Sequence, residues 1–459
     1  MDIISHVIAE PITEAVVMPE TRLPVAVRAD LCVIGGSCTG VFASIRAARL
    51  GLNVVLIEKQ NSFGGVATQG LVTIWHALSD MTGGRQIIAG LTQETLDRLH
   101  KRGGYLTRDN RTSYFTLNTE ELKIELDELV LEQKRITPLL HASYCAPLLD
   151  NGELTGVAVA TKSGLRAVLA DRFIDATGDG DLLRDINAPC SIPADPQPPS
   201  PTMKVFGMES IAGDELHTLM HNHGSEFGLP PDWGWGSPVP GAPNVTFHAD
   251  SHVKGFDCSS WDGLTAAELE SRRQIRAVLD LVRRYRADVP VTLLDMAAYL
   301  GIRETRHFDC LHHLTEDDLL GGVRFADGIA NGTYPVDVHH TDKPGLTFKY
   351  LDGSSRYVRD GFLPEEGTWL APGQRAPDYY QIPYRSLVPV SGGNVICAGR
   401  MLDADRNAYG AVRVMVNLNQ TGEAAGVAAY LGMNEGKGFE SMNEKKLRAT
   451  LAAGGSAVM

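Results

Sequence analysis

A short glycine turn, Gly35-Gly36-Ser37-Cys38-Thr39-Gly40, carries the clearest chemistry in this 459-residue sequence. It lies between an apolar run, Leu31 to Ile34, and a helical pattern. A dinucleotide pyrophosphate needs such a turn, followed by the bare N–H groups and positive dipole end of a helix. Gly35 permits the tight turn and Gly40 lets the helix lie close to the strand, while Ser37 occupies the place of the middle glycine of the fingerprint. Serine adds one hydroxymethyl group, and its OH can donate to a phosphate oxygen, so the turn is expected to tolerate it. Glu58, followed by Lys59, ends the next strand. A carboxylate roughly 20 residues beyond the turn accepts hydrogen bonds from ribose hydroxyls and repels a 2′-phosphate. A second glycine doublet, Gly64-Gly65, opens the run Val66-Ala67-Thr68 and has no role in a simple NAD domain.

Histidines raise a second possibility. His217, His221 and His223 cluster, with His217 and His221 on one helix face, and His248, Asp250, His252, His312 and His313 add further ligand types. Without an HExxH pair or cysteine support, no metal is expected.

These groups need elements to hold them. The strand–turn–helix–strand unit runs from Leu31 to Glu58, its helix stopping at Gly51. "NTEELKIELDELVLEQ" is a helix with Asn118 and Glu121 as an expected capping box. The proline-rich stretch 191–203 interrupts regular structure. "TAAELESRRQIRAVLDLVRRYR" follows, with Thr265 and Glu268 as its box and Leu269, Ile275, Val278, Leu279 and Val282 as its apolar stripe. "VICAGR" is a third buried strand, ending at Gly399 and Arg400 on the carboxyl edge, where open α/β sheets bind ligands. "TGEAAGVAAYLG" is a small-residue helix suited to close packing against the first helix, and the last two dozen residues suggest a polar helix and a frayed tail.

The formal net charge of −14 argues against a nucleic-acid surface, and no apolar run reaches membrane-span length. The N-terminus lacks the basic start of a secretory signal, and seven scattered cysteines without a CxxC pair suit a reducing cytoplasm.

The ordered succession of these segments resembles the FAD-dependent oxidoreductase family with a glutathione-reductase-type FAD fold, in particular a bacterial branch of it. "PETRLPV", "LTGVAVATKSGLRAVLADRFIDATGDGDLL", "YLGIRETRHFDCLHHLTEDDL", "GTYPVDVHH", "YYQIPYRSLVP" and "GGNVICAGRMLDADRNAYGAVRVMVNLNQTGEAAGVAAYL" carry the resemblance. It implies an α/β chain: a Rossmann-like FAD-binding domain with a parallel sheet and β-meander, plus an inserted α+β substrate or cap domain. The expected boundaries are a lead-in at 1–27, a discontinuous FAD domain at 28–200 and 385–435, a cap at 201–384, and a C-terminal helix and tail at 436–459. It also implies that the Gly64–Thr68 loop and the segment Ala176-Thr177-Gly178-Asp179 lie beside FAD. The lead-in to the last helix, with Val414 and Met415, would then present N–H groups to the flavin's pyrimidine end. Where the branch often has a histidine, this chain has Arg406.

A flavin oxidation also needs a base for the substrate's proton. His76 and His339 are the candidates, with Asp337 placed to orient His339. Arg303, Arg306, Arg385 and Arg413 lie in apolar surroundings and need an anion, either Glu304, the FAD phosphates or a substrate carboxylate. Pairing within the protein is expected for Arg303 and Arg306, and ligand binding for Arg385 and Arg413. The implied activity is oxidation of a C–OH or C–N bond of a small polar substrate by hydride transfer to flavin N5, with an unidentified electron acceptor. Reduction of an activated double bond and flavin binding without turnover are the alternatives. Attachment of FAD, covalent through His76 or not, stays open, as do the substrate and the oligomeric state.

Overall fold

Leu31 to Ile34 are apolar in succession because both faces of their strand are covered, and all four are buried. They form the inner half of β1 (Val25–Ile34). The computed structural model describes residues 14–459 except 109–113, 212, 231, 233, 341 and 360, so the first half of the expected lead-in lies outside the described residues. From β1 the chain turns into α1 (Cys38–Leu50) and returns as β2 (Val54–Ile57). A short strand β3 (Ile74–His76), helix α2 (Gly90–Lys101), β4 (Tyr105–Arg108), β5 (Tyr114–Leu117), α3 (Thr119–Leu131) and β6 (Ile136–Leu139) follow. The meander is β7 (Ser143–Asp150), β8 (Glu153–Thr161) and β9 (Gly164–Asp175).

One seven-stranded sheet has the order β6-β2-β1-β9-β8-β7. β6, β2 and β1 are parallel, β9 runs parallel to β1 from Ala167 to Asp175, and its Gly164 to Leu169 stretch pairs antiparallel with β8. The strand read from "VICAGR", β20 below, completes the parallel part by pairing Val395 to Cys397 with Phe173 to Asp175. A Rossmann-like sheet and a meander thus share one long strand, as expected.

The middle of the chain builds smaller sheets. β10 (Met203–Phe206), β11 (Trp235–Pro238), β12 (Val245–Ala249) and β13 (Thr292–Met296) form an antiparallel sheet in the order β11-β12-β10-β13. The helix α4 (Trp261–Tyr285) shares a core with it through Ile275, Val278, Leu279 and Val282. Next come β14 (Gly328–Gly332), β15 (Val336–His339), β16 (Leu346–Lys349), β17 (Ser354–Val358), β18 (Glu365–Thr368) and β19 (Tyr380–Pro383). β15 to β18 form a second meander, and β14 pairs with β19. The chain closes with β20 (Val395–Cys397), α5 (Arg406–Val412), α6 (Met415–Glu435) and α7 (Glu444–Ala453). The largest core cluster draws on β1, α1, β9, β14, β19, β20 and α6 together.

Four local expectations are corrected. Asn118 caps α3 by accepting from the N–H groups of Glu120 and Glu121, but its own N–H donates to the Gly104 carbonyl, so the reciprocal half of the box is absent. The cap of α4 is Ser260, five residues before the expected Thr265, which instead donates back to the Trp261 carbonyl. Leu269 falls off the apolar stripe and is 36% exposed. The tail is tied down rather than frayed: the carbonyls of Gly455 and Ala457 accept from Gly90 N–H and the Asn331 amide.

Candidate active site and cofactor groove

β1 delivers the glycine turn to the carboxyl edge of the sheet. Gly35 has φ +102°, and a Cβ there would lie 2.6 Å from the Ala176 carbonyl carbon. That conformation and that contact admit no side chain. A Cβ on Gly40 would collide with the Gly35 carbonyl oxygen. Ser37 is the N-cap of α1 yet makes no capping bond with its side chain, which leaves the helix N-terminus open to a ligand. The residue also pairs with Gly64 across the turn. A Cβ on Gly65 would come within 2.8 Å of the Ser37 Cβ, so the second doublet makes room for the serine that replaces a glycine in the first. Cys38 is buried and donates to the Gly64 carbonyl, and burial pushes its thiol up to about 12, which makes it a packing group.

Glu58 is buried at the end of β2, where its carboxylate accepts from Gly36 N–H at 2.7 Å and Gln60 N–H at 2.7 Å. Burial pushes this carboxyl up, against the backbone N–H bonds that favour its charge. Lys59 is exposed, with the carboxylates of Asp179 and Asp181 in its field. Val66 and Ala67 belong to a single 3-10 turn, and Thr68 locks it by donating to the Phe63 carbonyl. Ala176 continues β9 by bonding Ile34, and Thr177 folds back onto Asp175. Gly178 lies against the Arg400 guanidinium, which pairs with Asp179. Gly399, at φ +115°, makes the turn that brings Arg400 there. The buried Arg400 Nε has no partner, and Tyr299 lies beside Gly65 with Glu58, Arg400 and Asp179 in its field.

An open helix N-terminus, a side-chain-free cradle at Gly35, Gly40 and Gly65, a carboxylate at the end of β2 and an orphaned guanidinium N–H together fit FAD. The groove would hold it through Ser37 to Gly40, Glu58, Gly64 to Thr68, Asp179 and Arg400. Val414 is the N-cap of α6, Met415 its first residue, and this end also lacks a side-chain cap.

Arg413, one residue earlier, leads from that helix end into a buried polar cluster. Its guanidinium donates to Asp337 Oδ2 at 2.8 Å, and its Nε has no partner. Asp337 also accepts from the Tyr334 hydroxyl at 2.8 Å and faces His339 Nε2 at 3.4 Å. His76 packs its ring on Tyr334, centroids 4.1 Å apart, and its Nδ1 is buried without a partner. His252 packs edge-on to His339, centroids 4.5 Å apart, and its own Nδ1 bonds Asp232 at 2.9 Å. Burial opposes the charge on Asp337, yet His339, Arg413 and the Tyr334 hydroxyl hold its carboxyl well below the usual carboxylate range. Burial pushes His76 and His339 down to about 3 despite Asp337, so both imidazoles are neutral at physiological pH.

The two candidate histidines and Arg413 therefore meet around one carboxylate. Arg385 does not join them: it forks onto Asp327, and half of its side chain is exposed. The expected pairing within the protein holds for Arg306, whose NH1 lies 3.9 Å from Asp181 Oδ1, and is corrected for Arg303, which has no carboxylate in contact among the described residues; Glu304 pairs with neither. Glu304 bonds His307 and Gln197 N–H, while Arg306 bonds the carbonyls of Asp179 and Ser259. Arg303 bonds the Pro198 carbonyl and His252. Arg406 bonds the His339 carbonyl and pairs with Asp195 at the rim of a cleft of about 340 Å³. His217, His223, His248 and His313 go to separate partners, Gly234, Glu226, Asp250 and Asp403. Among the described residues no three metal-ligating side chains converge. No helix among them is long and apolar enough to cross a membrane. Tyr334, Asp232 and Tyr299 were not singled out as site residues from the sequence, and His252 was weighed only as a metal ligand. Of these, Tyr334 left a signal, two residues before the strand that carries Asp337.

A family model described as FAD dependent oxidoreductase matches residues 30–451. Among solved structures, the chain is similar to a triple mutant of the flavin-dependent brominase Bmp2, with 12% identity and a TM-score of 0.45 over 93% of this chain and 84% of that one. It is also similar to a geranylgeranyl bacteriochlorophyll reductase-like protein from Thermoplasma acidophilum, with 9% identity and a TM-score of 0.46 over 93% of this chain and 83% of that one. No curated protein matches.

Proposed function

The chain belongs to the FAD-dependent oxidoreductase family, and from that premise we propose that it oxidises a C–OH or C–N bond of a small polar substrate. FAD, held by Ser37 to Gly40, Glu58, Gly64 to Thr68, Asp179 and Arg400, would supply the two-electron sink for the substrate's hydride at N5, and an unidentified acceptor would remove the electrons. The observation that carries this reading is the convergence of Tyr334, His339 and Arg413 on Asp337, with His76 packed on Tyr334 and Arg413 adjacent to Val414, the N-cap of α6. His339 is neutral and takes the proton of the substrate's O–H or N–H as the C=O or C=N bond forms. Asp337 stays ionised, fixes the ring and compensates the imidazolium that results. Arg413 and the Tyr334 hydroxyl hold Asp337 in place, and His76 is the second proton acceptor at the site. Residues 201–384 supply Tyr334, Asp337 and His339 and act in this reading as the cap that selects the substrate. Seven unpaired cysteines, two of them exposed, support a reducing compartment such as the cytoplasm.

The test is a visible spectrum of the purified protein before and after denaturation, followed by anaerobic exposure to alcohols, amines and hydroxy acids. Bleaching by one class supports the oxidation and names that class. Reoxidation of reduced enzyme by an activated alkene, with no bleaching by any of the panel, reverses the direction. A His76→Gln/His339→Gln double variant should keep FAD and lose bleaching. Bleaching at the wild-type rate would remove both histidines from the chemistry.

A further inference from the structure

Arg303 is a buried cation without an anion. Its NH1 donates to the Pro198 carbonyl and its NH2 meets His252 Nε2 at 3.3 Å, and both partners are neutral groups. Among the described residues no carboxylate lies within ion-pair distance of it. The nearby carboxylates reach it through their fields only and hydrogen-bond other groups, Asp337 through Oδ2 alone. Asp232 accepts from the N–H and Nδ1 of His252, Asp337 from Tyr334 and Arg413, and Glu304 from Gln197 and His307. Burial, and then the charge of Arg413 nearby, push the Arg303 guanidinium down to about 10, although it remains protonated at neutral pH. Two guanidiniums thus lie in each other's field, and only one of them has a carboxylate in contact.

Position adds to the charge argument. Through His252 the Arg303 fork stands one imidazole away from His339, the proton acceptor of the proposed oxidation. Arg303, His76, Tyr334 and Arg413 each keep part of their surface accessible, whereas Asp337, His339 and His252 are buried. A guanidinium fork matches a carboxylate in two parallel hydrogen bonds, and in a water-poor pocket that match is worth far more than at a surface.

We infer that the substrate is a small 2-hydroxy or 2-amino acid, its carboxylate held by Arg303 and its oxygen- or nitrogen-bearing carbon presented toward His339. The inference deepens the proposed oxidation and rests on it. Arg303 fixes where the acid lies, and the hydroxyl or amine, one carbon along, reaches the imidazole. A neutral alcohol or amine leaves the guanidinium charge without a counter-ion and is rejected for that reason.

The experiment uses the full-length, FAD-loaded protein under anaerobic conditions. Glycolate, lactate, alanine and glutamate are compared with their methyl esters and with simple alcohols and amines, by following loss of flavin absorbance. Free acids should bleach the flavin and esters should be about 100-fold poorer, the loss expected for an unpaired buried guanidinium. Arg303→Met should lose about 100-fold in apparent affinity for the acids, and Arg303→Lys, which keeps the charge without the fork, should fall between. If esters or neutral compounds bleach as well as acids, the carboxylate anchor is overturned and the oxidation stands. Arg303→Met behaving as wild type toward acids overturns it as well. If no compound of any class bleaches the flavin, the oxidation itself fails and the inference falls with it. Should neither Arg303 variant retain FAD, the acid–ester comparison on the wild-type protein decides.

Discussion

Replacing Gly426 with alanine tests the cofactor groove without reference to any substrate. α1 and α6 cross where Gly422 lies on Thr39 and Gly426 on Ala43. A Cβ at 426 would stand 3.1 Å from the Ala43 carbonyl carbon and 3.2 Å from its Cα, and closer still to its carbonyl oxygen. At 422 the corresponding distances to Thr39 are 2.9 Å and 3.1 Å. Carbon atoms rest at about 3.5–4.0 Å, so each added methyl forces the helices apart by roughly 0.5–1 Å. The atoms struck are backbone, which cannot rotate away, and overpacking of this kind costs about 1–3 kcal/mol. The shift falls on the two helices whose uncapped N-termini would face FAD in the proposed groove, so binding should suffer more than folding. Gly426→Ala should retain a cooperative melt and lose about tenfold or more in FAD affinity, and the Gly422→Ala/Gly426→Ala pair should be purified largely as apoprotein. The assay is flavin content by absorbance after denaturation, with apoprotein titrated by FAD fluorescence quenching. Wild-type FAD affinity in the double variant would refute the argument that close approach of these helices shapes the groove.

Asp337→Asn leaves Arg413 buried beside a neutral amide, and should cost about 3–5 kcal/mol in denaturant unfolding together with most of the bleaching rate. His76 and His339 titrate near 3 in the folded chain and near 6.5 when unfolded, so the unfolded state binds more protons between those values. Stability should fall as pH drops below about 6.5, by up to about 1.4 kcal/mol per pH unit for each histidine, and His339→Gln should flatten the slope measured by urea midpoints. Glu423→Gln removes the partner of the buried Arg46 and an acceptor for Ser456, so limited proteolysis should release residues 454–459 sooner. Glu58→Ala should weaken FAD binding by about tenfold, read by the same fluorescence titration.

The strand–turn–helix–strand unit was legible because each of its signals lies within thirty residues and depends on nothing outside. The glycines of "TGEAAGVAAYLG" were legible for a related reason, since a helix with so little side chain on one face must sit against another backbone. The capping boxes at Asn118 and Thr265 failed where the rest of the fold intervened. Gly104 supplied the acceptor for the Asn118 N–H, and Ser260 started α4 a turn earlier. His76 and His339 could be named singly, but their meeting around Asp337 joins β3, β15 and the start of α6, which no local pattern encodes. Arg303 was misjudged because its neighbours in sequence differ from its neighbours in space. Glu304 beside it in the chain turns to His307, and its contacts come from Pro198 and His252.

The α1–α6 contact has a consequence for how the protein is made. Arg46 and its partner Glu423 stand 377 residues apart in sequence. At synthesis rates of about 5–20 residues per second, roughly 20–75 s separate the emergence of the two ends of this one contact. During that interval the first helix and its glycine turn leave the ribosome with an apolar flank uncovered and no complete pocket for flavin. Cofactor loading is therefore a late event, and the nascent first half is the stage most exposed to aggregation or to holding by chaperones. Slow growth temperatures and ample flavin at the end of translation, rather than at its start, should set the yield of holoprotein.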